Sequence, residues 1–149
     1  MTAFEHTFHV GWGQMDFNAH MANTGYLDFA ADTRMMFFET NGFTVSDFMR
    51  LRVGPVAMRD ELDYFREVCL LDSVRVTLAL AGMSEYGSRF RLQNEMFGKD
   101  GSRLARVVSV GGWLDLDARK LRRPPSDLFA VMQSLPRTQD FINLPESVR

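Results

Sequence analysis

The chain of 149 residues is long enough to bury one hydrophobic core and short for two, so we expect a single domain. Its hydrophobic fraction of 46% excludes an intrinsically disordered chain. The formal net charge of -2 excludes a global positive field, so nucleic acid is not an expected partner. One cysteine, Cys69, allows no internal disulfide, and no apolar run reaches the length of a membrane span. We therefore expect a cytoplasmic protein without a membrane partner.

Hydrophobic periodicity predicts a strand, a loop and a long helix in the first part of the chain. Apolar and polar residues alternate over residues 4–15, as in a half-buried strand. Residues 16–24 are polar and irregular, and Asn23 or Thr24 is placed as the N-cap of the next element. Over residues 25–41 apolar residues occupy most of the helix circumference, which indicates a largely buried helix. Residues 44–49 are predicted to form a short turn.

Four more strands are predicted beyond Pro55, at residues 56–65, 74–83, 89–97 and 102–116, with turn signals between them. A basic run at residues 119–123 is interpreted as a solvated turn. Ser126 is placed as the cap of a short helix, and the residues from Arg137 onward show no periodicity. An early buried helix followed by antiparallel strands is packed most economically when one sheet curls around the helix, which favours an α+β fold.

The stretch from Asp16 to Tyr26 combines a carboxylate with the predicted start of a helix. A carboxylate can attack a carbonyl carbon or activate water, and the first N–H groups of a helix can stabilise an oxyanion. From the pattern alone, an aspartate that merely ends the strand remains the favoured interpretation. His6 and His9 fall on opposite faces of a strand and His20 has no second ligand at suitable spacing, so we expect neither a metal nor another cofactor.

A family resemblance favours a catalytic role for Asp16 over an aspartate that merely ends the strand. Asp16-x-x-Ala19-His20-Met21-Ala22-Asn23-x-x-Tyr26, with Arg34 later on the helix, resembles the Asp-x-x-Gly-His-Val-Asn-Asn-x-x-Tyr signature of hotdog-fold acyl-CoA thioesterases of the 4-hydroxybenzoyl-CoA thioesterase type. The resemblance implies a hotdog fold, in which a curved antiparallel sheet wraps around one long central helix. A single hotdog domain would span residues 1–149, with a short C-terminal helix and tail from about residue 126.

The resemblance also implies the reaction and the residues that perform it. The reaction is hydrolysis of an acyl-CoA thioester to the free acid and CoA, without a cofactor, in a homodimer or homotetramer whose site lies at a subunit interface. The implied catalytic set is Asp16 as nucleophile or general base, the backbone N–H of Asn23 as carbonyl-polarising donor, and His20 and Tyr26 as residues that shape the loop and line the pocket. The implied contacts to CoA are Arg89 and the neighbouring Ser88.

Three positions depart from the family signature. Ala19 replaces the glycine, Ala22 replaces the first asparagine, and Ala31 stands where a helix glutamate is common, with Asp32 adjacent. Two other functions remain open. One is a non-catalytic hotdog module that binds acyl-CoA or an acylated carrier protein, since a fold does not guarantee activity. The other is a hotdog hydratase or dehydratase, which needs a histidine and a carboxylate that face each other; His20 is the nearby candidate.

Overall fold

The computed structural model describes residues 4–148. Within them, the elements follow in the order β1 (Phe4–His9), α1 (Asn23–Thr40), α2 (Val45–Leu51), β2 (Val53–Tyr64), β3 (Ser73–Ser84), β4 (Arg89–Phe97), β5 (Arg103–Asp115), β6 (Lys120–Arg122), α3 (Ser126–Gln133) and β7 (Arg137–Leu144). A short 3-10 helix, Trp12–Gln14, lies between β1 and α1. No helix in this part of the chain has the length and apolar character needed to span a bilayer.

The strands form one sheet in the order β1-β3-β4-β5-β2, and these neighbours are antiparallel. Strand β6 adds to β5, and β7 runs parallel to β3 beyond the stretch that β1 covers. Strand β2 ends the order and pairs only with β5 among the described residues, so its outer edge is open. With α1 against the curved sheet, the architecture is the predicted α+β hotdog fold.

Helix α1 is buried because its large apolar residues recur every three or four positions and face the sheet. Phe29 is 2% exposed and stacks on Phe8 of β1, with ring centroids 4.5 Å apart. Thr33 is buried on the same face, and its hydroxyl donates to the backbone oxygen of Phe29 at 2.8 Å. Burial of one such phenylalanine stabilises the fold by roughly 1.5–3 kcal/mol.

An aromatic cluster fills the core beside the C-terminal half of α1. Trp113 of β5 is fully buried, and its ring lies 5.9 Å from Phe38, 6.2 Å from Phe48 and 5.1 Å from Phe90, measured between centroids. Its indole N–H donates to the backbone oxygen of Gly87 at 3.1 Å. These contacts join α1, α2 and two strands into one core cluster.

Three predicted boundaries near the N-terminus are wrong. Strand β1 ends at His9, because the chain then turns toward the β2–β3 loop, where Val10 N–H donates to Asp72 O at 3.0 Å. Helix α1 begins at Asn23, and its N-cap is Ala22 instead of Asn23 or Thr24. The expected turn at residues 44–49 is the helix α2, whose Thr44 side chain accepts from Asp47 N–H at 3.2 Å.

Two strands near the C-terminus, β6 and β7, were not predicted from the sequence. The basic run forms β6 instead of a plain turn, and the residues after Pro136 form β7. Leu80 N–H of β3 donates to Pro136 O at 2.8 Å, and Glu146 then accepts from Tyr86 N–H at 2.6 Å. Because edge pairing uses backbone groups, it requires no alternation of side chains, and periodicity therefore did not signal β7.

Candidate active site

The loop that carries Asp16 is closed by backbone hydrogen bonds. Asp16 N–H donates to His20 O at 2.9 Å, and Met15 and Met21 form an isolated antiparallel bridge beside it. Met21 N–H also donates to Val68 O at 2.7 Å, which ties the loop to the segment between β2 and β3. The position of the Asp16 side chain is therefore set by the fold as well as by its local turn.

The loop bends through Ala19, whose φ of 63° lies in the left-handed region. Here a side chain costs about 1–2 kcal/mol, because Cβ approaches the following carbonyl oxygen. This is the position at which the family signature has glycine. Ala19 is exposed, so its methyl group gives little packing in return.

We expect Ala19→Gly to raise the free energy of unfolding by up to about 1 kcal/mol, since relief of strain exceeds the entropy that glycine adds to the unfolded chain. Urea unfolding followed by circular dichroism measures the change. Ala118→Gly is the matched control, because Ala118 is an exposed turn residue without a positive φ. That variant should lose stability, and an equal loss at Ala19 would contradict the strain argument.

The Asp16 carboxylate is partly exposed and held by hydrogen bonds. Its Oδ1 accepts from Asn18 N–H at 2.8 Å, and its Oδ2 lies 3.6 Å from Nδ1 of His20. Desolvation raises the pKa of Asp16, but backbone hydrogen bonds from Asn18 and His20, together with the His20 imidazole, outweigh it and leave this pKa below its ordinary value. The group is therefore an ionised carboxylate at neutral pH, as a nucleophile or base requires.

The N-terminus of α1 lies beside this carboxylate and carries unused donors. The N-cap residue Ala22 has no side-chain oxygen that could accept a hydrogen bond from the N–H groups of the first turn. Its own N–H donates to Gln14 O at 2.8 Å. Within residues 4–148, the N–H groups of Asn23 and Thr24 make no hydrogen bond. Since the helix dipole places partial positive charge here, these donors suit an anionic oxygen.

A cleft of about 430 Å³ joins these features. It is lined by four of the six predicted site residues, Asp16, His20, Asn23 and Tyr26, and by Asn18, Met21, Tyr64, Phe65, Arg66 and Glu67. The last four come from the end of β2 and the loop after it, and sequence reasoning assigned them no role. No local pattern in the sequence indicated that the end of β2 faces Asp16.

Tyr26 and Tyr64 form one wall of the cleft. Their rings meet edge to face with centroids 5.0 Å apart, and the Tyr64 hydroxyl donates to Asn23 O at 3.2 Å. Burial first, and then the charges of Tyr64 and Asp16, raise the pKa of Tyr26. Tyr26 is therefore a neutral phenol at physiological pH, and its hydroxyl approaches Arg66 O at 3.5 Å.

Arg89 and Ser88 do not line this cleft. Arg89 pairs with Gly112 of β5, whereas the cleft lies near Leu104, whose oxygen accepts from Phe65 N–H. Eight residues along a strand separate the two points by roughly 26 Å. Ser88 is fully buried, and its hydroxyl donates to Glu146. Their role as contacts to CoA stays a prediction.

No group of three His, Cys, Asp or Glu side chains in the described ranges could hold a metal ion. The side chains available for chemistry in the cleft are two carboxylates, a histidine, two phenols and a guanidinium, and the N–H groups at the start of α1 add hydrogen-bond donors. This set can attack or protonate a carbonyl compound and stabilise the oxyanion that forms.

Solved structures share this fold. A Staphylococcus aureus protein described as hypothetical and solved with CoA matches with a TM-score of 0.79 and 21% identity, over 97% of this chain and 90% of that one. A 1,4-dihydroxy-2-naphthoyl-CoA thioesterase from Synechocystis matches with a TM-score of 0.78 and 15% identity, over 90% and 98% of the two chains. A DHNA-CoA thioesterase from Staphylococcus aureus gives a TM-score of 0.80 and 14% identity, over 89% and 90%. The TM-scores establish a common fold despite the low identities.

The family is shown by the sequence itself. A comparison with curated proteins finds no match. The family model described as the thioesterase-like superfamily matches residues 10–133, which include the Asp16 loop, α1 and strands β2 to β6. The chain belongs to the thioesterase-like superfamily. Thioester hydrolysis is the class of reaction that this family and fold support.

Proposed function

We propose that the protein hydrolyses an acyl-CoA thioester to the free acid and CoA. One observation carries the proposal: the ionised Asp16 carboxylate and the unused N–H of Asn23 face the same cleft. A thioester carbonyl placed between them has a nucleophile or base on one side and an oxyanion donor on the other. The CoA named with the Staphylococcus aureus neighbour supports this carrier.

In the proposed reaction, Asp16 either attacks the thioester carbon or removes a proton from the water that attacks it. The carbonyl oxygen gains negative charge and is stabilised by Asn23 N–H and the helix dipole. Collapse of the tetrahedral intermediate breaks the carbon–sulfur bond and releases CoA as a thiolate. On the nucleophilic route, water then hydrolyses the mixed anhydride with Asp16. His20 and Tyr26 hold the loop and wall around the carbonyl.

We also propose a homodimer or homotetramer in the cytoplasm. The open edge of β2 offers twelve residues of backbone to a second copy. Within one chain, Arg66 is the cation in the cleft that can meet a CoA phosphate, whereas Arg89 and Ser88 would have to come from a second copy.

The test is thiol release from aliphatic and aromatic acyl-CoAs by the purified protein. We expect release at a rate proportional to enzyme concentration, with equal formation of free acid. Failure of the folded protein to cleave any CoA ester would contradict the proposal and favour the binding module or a carrier-protein substrate.

A hydratase or dehydratase is the second candidate, because His20 and Asp16 do lie together, 3.6 Å apart. That reaction leaves the thioester intact. Loss of enoyl-CoA absorbance without thiol release would favour it over hydrolysis.

A further inference from the structure

A second, smaller pocket of about 200 Å³ lies between α1 and the sheet, and the half-buried cation of Arg34 lines it. Its walls are apolar side chains of α1, β2, β4 and β5, among them Phe38, Phe90 and Trp113. Of the described residues that line it, Arg34 and Ser109 alone have polar side chains. A charged side chain is costly to place among apolar side chains, so the position of Arg34 requires an explanation.

The Arg34 guanidinium is anchored but has donors to spare. Its Nε–H donates to Asn94 Oδ1 at 3.0 Å, and its Nη2 donates to Ser109 Oγ at 2.8 Å. Both partners are buried and neutral. A guanidinium has five N–H donors, and the others, including both on Nη1, make no hydrogen bond to residues 4–148.

The charge of Arg34 also lacks a direct counterion. Burial lowers the pKa of Arg34 to about 10, so the group remains a cation at neutral pH. The carboxylate of Asp60 accepts from Ser109 Oγ at 2.5 Å, and its charge partly offsets the lowered pKa of Arg34, but Asp60 makes no direct hydrogen bond to the guanidinium. No salt bridge involves Arg34 within the described part of the chain. A half-buried cation without a direct salt-bridge partner favours an anionic ligand.

The pocket and the cleft at Asp16 lie along the same pair of elements. Helix α1 contributes Asn23 and Tyr26 to the cleft and Arg34 to the pocket, and β2 contributes its end at Tyr64 to the cleft and Val56 to the pocket. Eleven residues of helix place Arg34 about 16 Å from Asn23. A chain that extends from a carbonyl at the N-terminus of α1 along the helix can therefore reach the guanidinium.

We propose that Arg34 binds a carboxylate at the far end of the acyl chain, so that the substrates are CoA monothioesters of dicarboxylic acids. This inference rests on the proposed hydrolysis and makes Arg34 a specificity-determining residue. A volume of 200 Å³ corresponds to about seven non-hydrogen atoms at ~30 Å³ each. It accommodates a carboxylate and a few methylene groups, and the apolar walls suit those methylenes.

The test compares straight-chain dicarboxylic monothioesters, from succinyl-CoA to dodecanedioyl-CoA, with methyl-ended acyl-CoAs of equal length. We expect the wild type to favour the best dicarboxylic substrate at least ~100-fold in kcat/KM, because a methyl end leaves the Arg34 cation without an anionic partner. Arg34→Gln should lower kcat/KM for that substrate at least ~30-fold and leave the methyl-ended series within about threefold. Equal losses in both series would assign Arg34 a structural role and overturn the proposal.

Two further measurements distinguish failure of the pocket assignment from failure of the proposed function. Ala31 lines the pocket from an exposed helix position, so Ala31→Leu fills the pocket without removing an Arg34 hydrogen bond. We expect this variant to hydrolyse the dicarboxylic substrate at least ~10-fold more slowly. The result stands even if Arg34→Gln fails to fold. Calorimetry with a non-hydrolysable dodecanedioyl-CoA thioether and its dodecanoyl counterpart reports binding alone. Hydrolysis without a dicarboxylic preference would refute the pocket assignment and leave the proposed function intact. No hydrolysis, but tighter dodecanedioyl binding that Arg34→Gln abolishes, would refute the function and support the pocket.

Discussion

Asp16→Asn is expected to lower kcat for thioester hydrolysis by about 10²–10⁴-fold, because the amide can neither attack the carbonyl nor accept a proton from water. The substitution preserves shape, and the asparagine Oδ1 can still accept from Asn18 N–H as the carboxylate does. KM should change little, since the carboxylate acts in the transition state more than in binding. Steady-state thiol release with the best acyl-CoA measures the effect.

Asp115→Asn is the matched control for this variant. Asp115 Oδ1 accepts from the backbone N–H of Asp117 at 3.0 Å, the same kind of local turn, at the opposite end of the sheet from Asp16. We expect Asp115→Asn to hydrolyse the thioester at the wild-type rate. If Asp16→Asn retained more than a tenth of the wild-type rate while folded, Asp16 would not be the catalytic carboxylate. A transient increase in protein mass by one acyl group during turnover would identify Asp16 as nucleophile.

Trp113→Ala is expected to lower the free energy of unfolding by about 3–5 kcal/mol, through lost burial and the cavity that remains. The side chain is 0% exposed and contacts three phenylalanines, and its loss leaves the Gly87 carbonyl without its indole donor. Small domains have about 5–15 kcal/mol of stability in total, so the variant should unfold at much lower urea concentration.

The second tryptophan of the chain supplies the control. Trp12 is 82% exposed, and Trp12→Ala should change stability by no more than about 0.5 kcal/mol. Equilibrium urea unfolding followed by far-ultraviolet circular dichroism allows the two variants to be compared directly. Similar midpoints for both would mean that the cluster around Trp113 is not the centre of the core.

The fold was largely predictable where burial imposes a period on the sequence. Strand β4, Arg89–Phe97, matches its predicted bounds at both ends, and its residues alternate between buried and half-buried positions. Helix α1 was predicted for the same reason, since Phe29, Thr33 and Phe37 repeat at helical spacing. Strand β7 was not, because its burial does not alternate and its pairing with β3 uses backbone groups.

The fold class was predictable from sequence alone. The family signature also predicted the grouping of Asp16, His20, Asn23 and Tyr26, because residues close in sequence remain close around one loop.

The start of α1, in contrast, depends on contacts outside the helix. Hydrogen bonds from Met21 to Val68 and from Ala22 to Gln14 override the preference for a polar N-cap and leave Asn23 N–H free. The tertiary structure also decided that Tyr64 and Arg66 complete the cleft and that Arg34 lies in an apolar pocket. Such contacts join residues far apart in sequence, and their pairing depends on sheet register and helix packing, which no local pattern encodes.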